Sequence, residues 1–261
     1  APLTVFPLEI AVYFWFLLLL ASVAIFAMEV GGRRLEMIVI PLLSYPLIHA
    51  LTIKTTAVLW LGLVGLLAFA TRKNLIIIAG LCIALLPGKP QTGLVFGIVA
   101  VIWALRNNQA ILLSTFIWVL LLWGGSWALS PNWPLSWWSN VQTYRQQVTL
   151  VWLLPEGLLL LLFSRCLSLK ALTAATQVIS FPLNDIYSSL PLLVGWLEMG
   201  GWLAGMTVLC SWMAAVFFPN PNHPLALWAT VLIPYCCCTL IHAFTSLRRN
   251  KSRSSIEMAA L

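Results

Sequence analysis

Apolar runs of roughly 14 to 22 residues follow one another along nearly the whole chain, parted only by short polar turns. No soluble fold tolerates that spacing. Of 261 residues, 61% are hydrophobic and 8% charged, whereas an ordinary soluble domain carries about 25% charged residues. The pattern is all-α: a polytopic transmembrane helical bundle. Its longest polar interval, about 130–147, is far too short for a soluble domain. Alternating strands of about ten residues, the mark of a membrane β-barrel, do not occur.

Reading runs and breakers predicts about 11 membrane segments, at 8–29, 36–52, 56–71, 75–87, 91–105, 109–129, 148–163, 169–182, 187–200, 202–218 and 225–246. Several fall short of the ~20 residues that span a bilayer. Tilt, or cover from neighbouring helices, accommodates such segments. Residues 1–261 read as a single membrane domain. The Lys and Arg residues divide unevenly over the turns of this topology. Arg33, Arg34, Arg72, Lys73, Arg106, Arg165, Lys170, Arg248, Arg249, Lys251 and Arg253 fall on one side; Lys54, Lys89 and Arg145 fall on the other, 11 + 3 = 14. The positive-inside rule makes the first side cytoplasmic, with the C-terminus there and the N-terminus outside. The net charge of +7 then calls for no nucleic acid, and the basic tail Arg248 to Arg253 suits anionic lipid. The expected location is a plasma (inner) membrane.

The sharpest polar interruption is Pro87-Gly88-Lys89-Pro90-Gln91, with apolar sequence on both sides. A lysine inside a bilayer costs several kcal/mol unless it reaches headgroups, water or an anion. Lys89 is therefore expected at a membrane face, and a plain reading is that it snorkels from a helix end. The same outer face collects Glu9, the 52–56 turn, the 130–147 interval, Asp185 and the 218–224 turn. In the 130–147 interval, Trp133, Trp137, Trp138 and Tyr144 suit an amphipathic helix at headgroup depth. Alternatively Trp137 and Trp138 stack on a sugar, with Arg145 contacting phosphate; the two roles are compatible.

Other polar residues point to structure. Cys236, Cys237 and Cys238 are consecutive, so a helix splays them away from any common metal. His49, His223 and His242 lack metal-ligand spacing, and His49 beside Tyr45 reads as an interhelical contact. Glu29 and Glu36 are expected to pair with Arg33 and Arg34. Glu156 follows Pro155 inside the seventh segment, where a kink opens room for a polar group, and Glu198 precedes the break at Gly200-Gly201. Asn250-Lys251-Ser252 matches a glycosylation triplet but lies on the cytoplasmic side.

The stretch Ala79-Gly80 to Leu86-Pro87-Gly88-Lys89-Pro90-Gln91-Thr92-Gly93, followed by Arg106-Asn107-Asn108, resembles the Gly, Lys-Pro-Gln and Arg pattern of one family. The segment Ile179-Ser180-Phe181-Pro182-Leu183-Asn184-Asp185-Ile186-Tyr187, ahead of Leu190-Pro191, is similar to the Ser-Pro, acidic and aromatic segment of the same family. It is the integral-membrane glycosyltransferases of the GT-C superfamily, in particular the family 87 polyprenol-phosphate-mannose-dependent mannosyltransferases. The resemblance covers about residues 1–205, leaving 206–261 as C-terminal helices and a basic tail. It implies a polyprenyl-phosphate sugar donor that arrives through the membrane, with the leaving phosphate at Lys89 and Gln91, Arg145, Trp137, Trp138 and Tyr187 lining the donor or acceptor. Family members carry the catalytic carboxylate on a first outer loop that these residues do not match, which implies the C-terminal part of such an enzyme, incomplete or silent alone. Asp185, with Glu9 behind it, is the remaining candidate base. No cofactor is implied, and neither a metal cluster nor a phosphate-binding glycine loop is visible. Two other classes stand beside this one: a non-catalytic subunit with a membrane partner chain, and a transporter, which would need internal symmetry that is not apparent.

Overall fold

In the computed structural model, the described residues are 7–31, 39, 42–147, 150–183, 185–199, 201–218 and 223–259. They form a bundle of α-helices with no named strand; one isolated bridge joins Val151 and Leu183. The helices are α1 (Leu8–Val30), α2 (Tyr45–Thr52), α3 (Ala57–Arg72), α4 (Ile76–Leu85), α5 (Pro90–Asn107) and α6 (Gln109–Leu129). They continue as α7 (Trp133–Gln147), α8 (Leu158–Ser164), α9 (Leu169–Ile179), α10 (Leu193–Met199), α11 (Gly201–Phe217) and α12 (Ile233–Ala259). A 3-10 turn at Leu86–Gly88 closes α4, and another at Ile186–Leu192 leads into α10.

Among these, α1, α6 and the span Leu225–Ser246 that runs into α12 are long and apolar enough to cross a membrane, and the pair α2 and α3, bent by 116°, makes a fourth if counted as one. Eleven crossings are not carried by helix length; α4 and α11 are apolar but shorter. The largest departure is the seventh segment. From Val151 to Gly157 the backbone is bridge and turn, and only Leu158–Ser164 is helical, because Pro155 interrupts the run. Glu156 consequently lies exposed in the turn ahead of α8, not inside a kinked helix. The ninth segment likewise starts as 3-10 helix around Pro191.

Parallel pairs organise the bundle. Along α1 and α3, Trp15 meets Lys54, Ser22 meets Gly62, Phe26 meets Gly65 and Glu29 meets Arg72, so both helices run the same way in steady register. Gly65 has no room for a Cβ against the Phe26 backbone, and this close approach supplies the packing contacts that substitute for a hydrophobic driving force in lipid. Similarly, α4 and α6 run parallel: Trp118 Nε1 donates to Ile77 O, Ser114 packs on Gly80, and Trp123 Nε1 donates to Ala84 O. The core joins Leu19, Phe26 and Leu61 to Trp196, Leu232 and Tyr235.

This arrangement segregates the turns. At one end Arg72 meets Glu29, and Asn108 Nδ2 donates to Asn74 Oδ1. At the other end gather the 53–56 turn, Lys89 and the start of the 3-10 helix at Asp185. Glu29 thus pairs with Arg72 and not as expected from its neighbours; Arg33, Arg34 and Glu36 lie outside the described residues.

Candidate functional site

Lys89 caps the N-terminus of α5, preceded by the Leu86–Gly88 turn and followed by Pro90, which suits the first helical position because it has no N–H to leave unpaired. The turn is pressed against its neighbours. Trp60 Nε1 donates to Leu86 O at 2.8 Å, and Gly93 sits so close to that carbonyl and to the Trp60 ring that no side chain fits.

One buried residue holds the first turn of α5 from outside. Gln177, fully buried on α9, donates through Nε2 to Pro90 O and accepts from Val95 N–H through Oε1, both at 2.7 Å. A buried amide with both ends satisfied at such distances fixes the relative height of two helices. What it fixes here is the residue beside Lys89.

The Lys89 ammonium donates to Thr55 Oγ1 at 3.3 Å and Thr56 Oγ1 at 3.2 Å, and lies 5.4 Å from the centre of the Tyr187 ring. The two threonines face it because the chain reverses at Lys54, whose φ of 54° lies in the left-handed region, and Trp15 Nε1 holds the Lys54 carbonyl at 3.1 Å. Among the described residues the ion pairs are His49 with Asp185 and Arg72 with Glu29, so Lys89 has no carboxylate partner there. Burial lowers its pKa to about 8.

Two residues before Tyr187, Asp185 faces α2. His49 Nε2 lies 3.2 Å from Oδ1 and 3.4 Å from Oδ2, and Oδ1 also accepts from Tyr187 N–H at 3.4 Å. The His49 ring stands 5.6 Å from Tyr45, which in turn contacts Trp212 at 5.3 Å. The short segment 185–187 therefore joins two functional groups: a cation held by hydroxyls and an aromatic face, and a carboxylate–imidazole pair. Such a site can bind an anion at the ammonium and a hydroxyl-bearing group beside it.

No family model, curated protein or solved structure matches the chain.

Of the residues singled out in the sequence, the fold brings Lys89, Asp185 and Tyr187 together, and Gln91 lies on the first turn of α5 two residues from Lys89. It does not bring in Trp137 and Trp138. These are exposed on α7, their rings 6.4 Å from each other, and α7 packs chiefly on the end of α6, where Trp133 meets Trp123 at 5.8 Å. Arg145 and Tyr144 belong to the same helix, their side chains outside the described set. Glu9 is exposed in the first turn of α1, where a carboxylate complements the helix dipole. The apolar groove of about 480 Å³ between α4, α5 and α6 is lined by Pro87, Leu94, Ile98 and Trp123 and includes neither Lys89 nor Asp185.

Elsewhere, Glu198 accepts from Ser168 Oγ at 2.6 Å, in keeping with a structural role. Cys236, Cys237 and Cys238 point to surroundings of different burial, and no cluster able to hold a metal occurs among the described residues. Sequence reasoning missed Thr55 and Thr56 as partners of Lys89 and missed Gln177 altogether. The signal for Gln177 was present: a lone amide within an apolar helix has to be satisfied by another helix.

Proposed function

We propose that the protein is a glycosyltransferase-like membrane protein that holds the phosphate of a polyprenyl-phosphate-linked sugar at the Lys89 end of its bundle, on the outer face of the membrane. One observation carries this reading: Lys89 is half-buried, bonded by neutral hydroxyls and an aromatic ring, and without a carboxylate among the described residues. An ammonium that snorkels freely from a helix end gains nothing from such enclosure, whereas one awaiting an anion gains a charge-assisted partner in a site of low dielectric. The resemblance of the Lys-Pro-Gln stretch and of the Asp185 segment to the GT-C family supplies the chemical class. In this reading the shorter helices complete eleven passes, with the basic turns at Arg72 and Arg106 cytoplasmic.

A non-catalytic subunit of a larger membrane complex is the second reading, favoured by the state of Asp185. Both of its oxygens engage His49 or the Tyr187 N–H, which commits Asp185 to contacts within the chain rather than to an acceptor hydroxyl.

The test is equilibrium binding of a polyprenyl phosphate to the purified protein in lipid nanodiscs. Lys89→Ala is expected to weaken binding more than about tenfold and Lys89→Arg to retain part of it. A loss of less than about twofold on Lys89→Ala returns Lys89 to the class of helix-end lysines.

A further inference from the structure

The His49–Asp185 pair stands next to the ammonium but takes no part in holding a phosphate. Asp185 reaches His49 only through Nε2, at 3.2 and 3.4 Å. An ionised carboxylate has no proton to give, so Nε2 is the protonated nitrogen of this contact. In a neutral imidazole that assignment leaves the lone pair on Nδ1. Among the described residues Nδ1 has no hydrogen-bond partner, and the side chain keeps 21% exposure. The ring is braced as well as oriented. Tyr45 packs beside it at 5.6 Å, Trp212 backs Tyr45, and Thr52 Oγ1 bonds the His49 carbonyl at 2.7 Å at the end of α2.

An imidazole with a fixed tautomer and an open acceptor nitrogen is built to receive a hydroxyl proton in a hydrogen bond. The connection to Lys89 is short, since Asp185 and Tyr187 flank one residue and the ammonium lies 5.4 Å from the centre of the Tyr187 ring. We infer that His49 Nδ1 is a hydroxyl-recognition point, accepting a hydrogen bond from a sugar hydroxyl of a lipid whose phosphate sits at Lys89, with Asp185 as the positioning residue that sets the tautomer. This rests on the phosphate reading of Lys89. It assigns to this end of the bundle the ability to tell a sugar-bearing polyprenyl phosphate from the bare lipid.

The experiment compares polyprenyl phosphate with the same lipid bearing a hexose, both titrated at pH 8 against the full chain in nanodiscs. The wild-type protein is expected to prefer the hexose-bearing lipid by about fivefold, the worth of one neutral hydrogen bond. His49→Phe keeps the ring contact with Tyr45 but has no acceptor, and is expected to bind both lipids equally with the affinity of the wild type for the bare lipid. Lys89→Ala is expected to weaken both. If the wild type binds both lipids but without preference, or if His49→Phe keeps the preference, the hydroxyl site is overturned while the phosphate reading stands. If neither lipid binds the wild type, both fall. Should His49→Phe fail to fold, nitrogen-15 NMR of histidine-labelled wild-type protein decides: protonated Nε2 with bare Nδ1 supports the assignment, and the opposite tautomer overturns it.

Discussion

At one end of the bundle Arg72 meets Glu29 at 2.8 Å, the guanidinium 58% exposed and the carboxylate 12% exposed. At the other, Lys89 is half-buried among two threonine hydroxyls and a tyrosine ring. Both cations terminate apolar helices, and composition alone would treat them alike. The Arg72 end neutralises charge internally and leaves the guanidinium in contact with solvent or headgroups, where an ion pair is worth about 0–1 kcal/mol. At the Lys89 end the ammonium itself has no carboxylate partner among the described residues. Charge inside a membrane protein is ordinarily paired, which sets the Lys89 ammonium apart from Arg72.

The two ends are expected on opposite sides of the membrane. Single cysteines placed at 89 and 107 are expected to differ all or none: an impermeant thiol reagent labels the first in intact cells and the second only after permeabilisation. The reverse pattern overturns the orientation, and labelling of both from outside overturns the segregation.

A second test turns on protonation. Because burial lowers the Lys89 pKa to about 8, its charged fraction drops about tenfold between pH 7 and pH 9. Binding of polyprenyl phosphate is expected to fall by about that factor over the same interval, whereas a lysine of ordinary pKa near 10.5 would hold its affinity to pH 9. For folding the sign is opposite: the unfolded chain binds the extra proton between pH 8 and 10.5, so this group adds stability as pH rises through that window. An affinity flat from pH 7 to 9 contradicts the buried ammonium.

Smaller effects sharpen the picture. Gln177→Leu removes two side-chain bonds, to the Pro90 carbonyl and the Val95 N–H, and is expected to cost about 1–3 kcal/mol of stability, read as a lower midpoint of thermal unfolding in nanodiscs. Phosphate affinity should weaken with it, since Pro90 is the neighbour of Lys89; an unchanged midpoint would mean that the amide holds nothing. Arg72→Ala is expected to do least, changing stability by less than about 1 kcal/mol and phosphate affinity by less than about twofold. A large loss of affinity there would mean that the two ends are coupled, and would erase the contrast.

The helical segments were legible in the sequence where apolar runs end in clear breakers. The expected 8–29, 56–71, 91–105 and 109–129 correspond to Leu8–Val30, Ala57–Arg72, Pro90–Asn107 and Gln109–Leu129, because arginines, asparagines and Lys89-Pro90 cannot be carried into hydrocarbon without a partner. Hydropathy was least informative at 148–163, where Pro155 and an extended pairing of Val151 with Leu183 replace half of a helix. Lys89, Asp185 and Tyr187 were each visible as polar exceptions.

What the chain determined by itself is its class and its short list of exceptional residues, since burial of backbone and charge in lipid is a local, per-segment requirement. Only the tertiary structure decided how those exceptions combine. Asp185 lies 136 residues from His49, Gln177 87 from Pro90, and Lys89 about 34 from the threonines that hold it. Nothing in the local spacing of a helix encodes such pairings. They follow from which helices pack side by side, and that is set by side-chain fit, as where Gly62 and Gly65 of α3 meet Ser22 and Phe26 of α1, rather than by polarity.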